Sequence, residues 1–128
     1  MSEQERIVSE ANAKAGVQLL NLQGLEAACL NKQELISRLL EIFQEQVPGW
    51  IAEIKASVDA ADPQRIRQIC HTIKGATAAI HANECVKAAE ALGILGREGI
   101  MEGTEEAKDR FVSVIEQTKD LVASMQAT

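Results

Sequence analysis

The sequence predicts an all-α protein, an antiparallel four-helix bundle with additional short N-terminal helices, and three observations carry that expectation. Ala, Leu, Glu, Gln and Lys, all good helix formers, dominate the 128 residues. Aromatic residues are confined to Phe43, Trp50 and Phe111, and no β-branched or aromatic run of strand character occurs. Apolar residues recur at i, i+3, i+4 and i+7 along four long segments, and the short breaks between them make neighbouring helices antiparallel. The length suits a single domain with one real core.

Residues 3–15 place Ile7, Val8, Ala11 and Ala15 on one thin face and stop at Gly16, so a short helix is expected in an N-terminal extension over 1–18. The bundle domain is expected over 19–128. Leu22, Leu25 and Cys29 follow at helical spacing, and Asn31 with Glu34 reads as a capping box that restarts the chain near Lys32. From there Ile36, Leu40, Phe43, Val47, Trp50, Ile51, Ile54 and Val58 keep one helical phase straight through Pro48-Gly49. A hairpin would reset that phase, so one long helix bent at Pro48 is expected.

Asp62-Pro63 is a strong helix start, with Asp as the cap and Pro where its missing N–H costs nothing, and the helix should run to about His81. Asn83 is expected to cap the next helix, which carries Val86, Ala89, Leu92 and Leu95 and dissolves in Gly96, Gly99 and Gly103. Thr104 is expected to cap the last, with Phe111, Val114, Ile115, Thr118, Leu121, Val122 and Met125 as its buried stripe.

Several function classes are disfavoured. The formal net charge is −6, without a Lys/Arg block or aromatic platform, which argues against a nucleic-acid partner. Cys29, Cys70 and Cys85 form no CxxC pair and sit at apolar positions, so they read as small buried hydrophobes in a reducing compartment, with neither a disulfide framework nor a metal site. No apolar stretch approaches the ~20 residues of a membrane span, and a cytoplasmic location without membrane contact is expected.

The chemistry points to the helix of 62–82. On a wheel of 100° per residue, Ile66, Ile69, Ile73, Ala76 and Ile80 share the side that the bundle must bury, and His71 lies opposite. Within about 60° of it fall Gln64, Arg67, Gln68, Lys74, Gly75, Ala78 and Ala82. A core histidine would sit on the apolar side. Gly75 costs about 1 kcal/mol in a helix interior relative to Ala, and a bare groove floored by Gly75 and Ala78 would repay that by letting another protein approach the ring.

An exposed imidazole, with a reference pKa of ~6.5, offers a free nucleophilic nitrogen near neutrality and can accept a phosphoryl group. Lys74 and Arg67, each one turn away, can face that group. A charge ~6 Å from it is worth about 0.7 kcal/mol per unit pair in water and about 2.8 at an effective dielectric of ~20, which assists but cannot drive transfer. No GxxxxGK[ST] loop or metal-binding carboxylate cluster is present, so a partner must bring nucleotide and Mg²⁺.

The run Arg67-Gln-Ile-Cys-His71-Thr-Ile-Lys74-Gly75-Ala-Thr-Ala-Ala-Ile80 resembles the His-x-x-Lys-Gly pattern of the histidine-containing phosphotransfer (HPt) family. The likeness spans residues 20–125, through Leu22-x-x-Leu25, the long helix, Asp62-Pro63 and the Leu92-x-x-x-Gly96-Arg97 ending. It implies His71 as phosphoacceptor through Nε2, Lys74 balancing phosphate charge, Gln68 orienting the ring and Gly75 clearing space. Gln64, Arg67, Ala78 and Ala82 would join the partner-binding face.

It further implies a phosphorelay carrier without a kinase region or cofactor of its own. Its partners would be response-regulator receiver domains, which supply Mg²⁺, and a sensor or hybrid histidine kinase. Two departures bear on partner choice: His81 stands where the family often has Gly, and Leu92-Gly93 where it often has Leu-Glu. His81 lies about 80° from His71 on the wheel and reads as a helix-end residue. Two alternatives stay open, a non-phosphorylated adaptor of the same fold and an unrelated structural bundle, the latter requiring a buried His71.

Overall fold

The computed structural model describes residues 1–128 as six helices with no strand. They are α1 (Glu3–Ala15), α2 (Leu22–Ala28), α3 (Gln33–Asp59), α4 (Pro63–Ala79), α5 (Asn83–Glu98) and α6 (Thr104–Gln126). The last four pack in a closed ring, each against the next and α6 back against α3, while α1 lies along α6. The architecture is thus the expected helical bundle preceded by two shorter helices.

One core binds these elements together. Leu20, Leu25, Leu40, Ile54, Ile66, Ile73, Leu92, Phe111 and Ile115 are fully buried, each contributing about 1.5–3 kcal/mol of transfer free energy. Val8 of α1 belongs to the same cluster. Gly16 ends α1 in the left-handed conformation at φ 73°, and α3 runs unbroken through Pro48, both as the sequence predicts. All three cysteines are free and buried.

The reversals between helices use a device the sequence reading missed. At the end of α3, Ala61 N–H donates to Val58 O and Asp62 N–H to Ser57 O; at the end of α4, His81 N–H donates to Ala78 O and Ala82 N–H to Thr77 O. These are Schellman turns, which need a left-handed residue and normally take glycine there. Ala61 (φ 50°) and His81 (φ 59°) fill that place instead, as does Leu30 (φ 53°) after α2. With no glycine to flag them, α4 appears in sequence to continue to His81, whereas it ends at Ala79.

Three expected caps are corrected for related reasons. Lys32, not Asn31, precedes α3, because Asn31 is itself left-handed at φ 56° and part of the turn. Ala82 precedes α5, and Asn83 is its first residue, its Nδ2 donating to Gln18 Oε1 at 3.1 Å. Gly103 precedes α6 at φ 85°, leaving Thr104 to donate its hydroxyl to Met101 O at 2.7 Å. Of the glycines expected to dissolve α5, only Gly99 ends it, at φ 70°; Gly96 lies buried inside the helix.

Candidate functional site

The helix that presents His71 is anchored at its start. Asp62 accepts a hydrogen bond from Arg65 N–H at 3.2 Å, and Pro63 opens the first turn as expected. The Arg65 guanidinium donates to both carboxylate oxygens of Glu53, at 2.9 and 3.2 Å, tying this turn to α3. The same hydrogen bonds hold the Glu53 carboxyl below its ordinary pKa.

Below that anchor α4 is rotated from the orientation its isoleucines suggest. Ile66, Cys70, Ile73 and Thr77 are its buried residues, with Ile80 just beyond, while Ile69 and Ala76 are only partly covered. On the wheel the buried stripe is turned by about 40° toward Cys70 and Thr77. Thr77 tolerates burial because its hydroxyl donates to Ile73 O at 2.8 Å. Burial also pushes the Cys70 thiol up to about 12 and the Cys85 thiol up to about 11.

The rotation follows from the close approach of α5. A Cβ on Gly96 would lie 2.9 Å from Pro63 O and 3.0 Å from Arg67 N, and one on Gly93 would lie 3.1 Å from Cys70 Cβ. Two bare positions three residues apart therefore let α5 settle against the backbone of α4. Its outer flank rises beside His71, and the histidine borders an interhelical groove instead of standing alone on a convex wall.

His71 is exposed, which removes the unrelated-bundle alternative. The hydrogen-bonding side chains of α4 and its cap are Asp62, Arg65 and Thr77, besides Lys74 in an ion pair; His71 and Gln68 have none. Both imidazole nitrogens are thus free of protein partners, and Gln68 does not hold the ring in this state.

Arg67, Lys74 and Arg97 line the groove with His71, and Glu90 is the one acidic residue among them. Lys74 Nζ sits 2.7 Å from Glu90 Oε2 across the α4–α5 seam. That hydrogen bond, reinforced by the charge of Lys74, holds the Glu90 carboxyl below its ordinary pKa.

Among the residues expected on the binding face, Gln64, Arg67, Gln68, Lys74, Gly75 and Ala78 are all exposed on α4. Nothing lies within 4 Å of a Cβ built on Gly75, so the space beside it is open. Ala82 is a correction: it is 0% exposed, because the chain has already reversed at His81 and turned it into the core.

His81 packs against α2, its Nδ1 2.6 Å from where a Cβ on Gly24 would stand, while its carbonyl accepts from Asn21 N–H at 2.9 Å. Its place at the helix end is as expected. Arg97 and Glu90 were not singled out from sequence as site residues. The Gly93/Gly96 spacing, which marks a helix face made for close contact, is the signal that could have drawn attention to their helix.

A family model described as "Hpt domain" matches residues 38–128, a span that holds most of α3 and all of α4, α5 and α6. In structure the chain is similar to the crystal structure of histidine-containing phosphotransfer protein B (HptB) from Pseudomonas aeruginosa PAO1. The TM-score is 0.79 at 16% sequence identity, covering 85% of this chain and 95% of that one. At that identity the likeness is one of fold. No curated protein matches the chain in sequence.

Proposed function

The chain belongs to the Hpt domain family, and from that membership we propose that it is a phosphocarrier in which His71 exchanges a phosphoryl group with aspartates of receiver domains. The observation that carries the proposal is the His71 ring itself, exposed, without a protein hydrogen bond, and set among Arg67, Lys74 and Arg97.

In the forward step the Nε2 lone pair attacks the phosphorus of a receiver's aspartyl phosphate. An N–P bond forms as the P–O bond breaks, and the bonding pair leaves with the carboxylate; the proton on Nδ1 can then pass to solvent. Free nitrogens suit both events. The surrounding cations stabilise the charge on the phosphoryl oxygens, each by an amount that assists transfer without driving it.

In this reading the receiver supplies Mg²⁺ and the acidic pocket, and the carrier contributes no cofactor or kinase region. Gly75 and Ala78 leave room for the partner's surface, with Gln64, Arg67 and Gln68 at its border. Gln68, which makes no hydrogen bond to the ring here, would orient it once a receiver has docked. The relay would run through a sensor or hybrid histidine kinase and operate in the cytoplasm; in the chain itself, no helix is long and apolar enough to cross a membrane.

The test is to incubate the protein with phosphorylated receiver domains and look for acid-labile, alkali-stable phosphate. His71→Gln is expected to abolish the label and leave helicity by circular dichroism intact. Label that persists in this variant would move the acceptor role to His81. Binding of receivers without any label would leave the non-phosphorylated adaptor as the better account.

A further inference from the structure

We propose that Glu90 on α5 is a positioning residue that sets how much of the Lys74 charge reaches the phosphoryl group on His71, an inference that rests on the phosphocarrier reading. In the resting protein the ammonium is turned toward α5, held 2.7 Å from Glu90 Oε2. The groove they share with His71 contains no other carboxylate. Glu90 is therefore the one internal rival for Lys74 at this site.

The bridge has the properties of a contact made to be exchanged. Its two side chains are 46% and 50% exposed, which places it among screened surface pairs of marginal strength. A phosphoryl group at neutral pH carries nearly two negative charges against the single charge of Glu90, so Lys74 is drawn to it when His71 is loaded. Glu90 continues to compete and takes part of the lysine's time away from the phosphoryl oxygens.

Gly93, one turn farther along α5, has no side chain to contribute to this balance. Of the α5 residues lining the groove, the charged ones are Glu90 and Arg97, and of these Glu90 alone opposes the phosphate. Removing the Glu90 charge would free Lys74, stabilise the phosphohistidine and slow its loss. The effect of Glu90 must then pass through Lys74.

Phosphoramidate, a small phosphoryl donor to imidazoles, loads the full chain without a kinase. ³¹P NMR then follows the phosphohistidine resonance, assigned to His71 by its absence in His71→Gln. Decay is compared in the wild type, Glu90→Gln, Lys74→Gln and the double variant, each checked for helicity by circular dichroism.

Glu90→Gln is expected to lengthen the lifetime about threefold, the ratio that corresponds to one unit charge pair ~6 Å apart in water. Lys74→Gln shortens it, the gain from Glu90→Gln vanishes in the double variant, and Glu90→Asp stays near the wild type. An unchanged lifetime in Glu90→Gln overturns the inference. So does a gain that survives without Lys74, because Glu90 would then act on the phosphoryl group directly. If the wild type never shows the His71 resonance, the phosphocarrier reading fails and takes this inference with it, an outcome distinct from equal lifetimes among loaded proteins.

Discussion

Alanine at two helical glycines should move stability in opposite directions. Gly75 is exposed in α4 and a Cβ there meets nothing within 4 Å, so Gly75→Ala collects only the helix-propensity gain, about 0.8–1 kcal/mol. Gly96 is buried in α5, and its Cβ would come within 2.9 Å of Pro63 O and of Ile66 Cγ2. Ile66 can shift its methyl group; the Pro63 carbonyl, in the first turn of α4, cannot move without moving the helix. Overpacking of this kind costs about 1–3 kcal/mol, and after the propensity gain a net loss of up to about 2 kcal/mol remains.

Urea denaturation read by far-ultraviolet circular dichroism measures both changes, and thermal midpoints should separate the two variants by roughly 4–11 °C for a chain of this size. Gly96→Ala should also slow phosphotransfer, since it forces apart the seam that His71 borders. Gly75→Ala should leave the fold firmer while crowding the partner. A stabilised Gly96→Ala, or a destabilised Gly75→Ala, would show that α5 does not seat against α4 through its bare positions while the space beside Gly75 stays open.

Two further expectations test other parts of the molecule. Burial holds the Cys70 and Cys85 thiols at about 12 and about 11, so at pH 8 neither should react with Ellman's reagent on the timescale of a model thiol until denaturant is added; prompt labelling of Cys70 in the native protein would contradict its packing under Gly93. Glu53 has a folded pKa below its ordinary 4.5, so the stability it adds is present above that value and is lost as pH falls through the lower folded value. The urea midpoint of the wild type should exceed that of Glu53→Gln near neutrality and converge with it in acid; a constant difference down to pH 2 would show that the Arg65 pair is not its source.

Much of the molecule could be read along the chain because the decisive interactions lie within one turn of helix. The unbroken phase through Pro48, the Asp62-Pro63 start and the polarity opposite Ile66 and Ile73 are all relations between residues three or four apart. They place His71 outside the core and set Lys74 and Gly75 beside it. Helix ends were less legible, since Ala61 and His81 adopt a conformation that glycine usually signals. The misplacement of Ala82 follows from that one missed reversal.

The site's electrostatics came from elsewhere in the chain. How far α4 turns about its axis depends on how closely α5 can approach, and Gly93 and Gly96, more than twenty residues beyond His71, govern that approach. The same seam brings Glu90 to Lys74 and Arg97 to the groove. Periodicity within a helix can tell which side faces inward to within a few tens of degrees. The neighbour that fills the remaining space, and the charges it carries, are settled when helices distant in sequence compete to bury their smallest residues against one another.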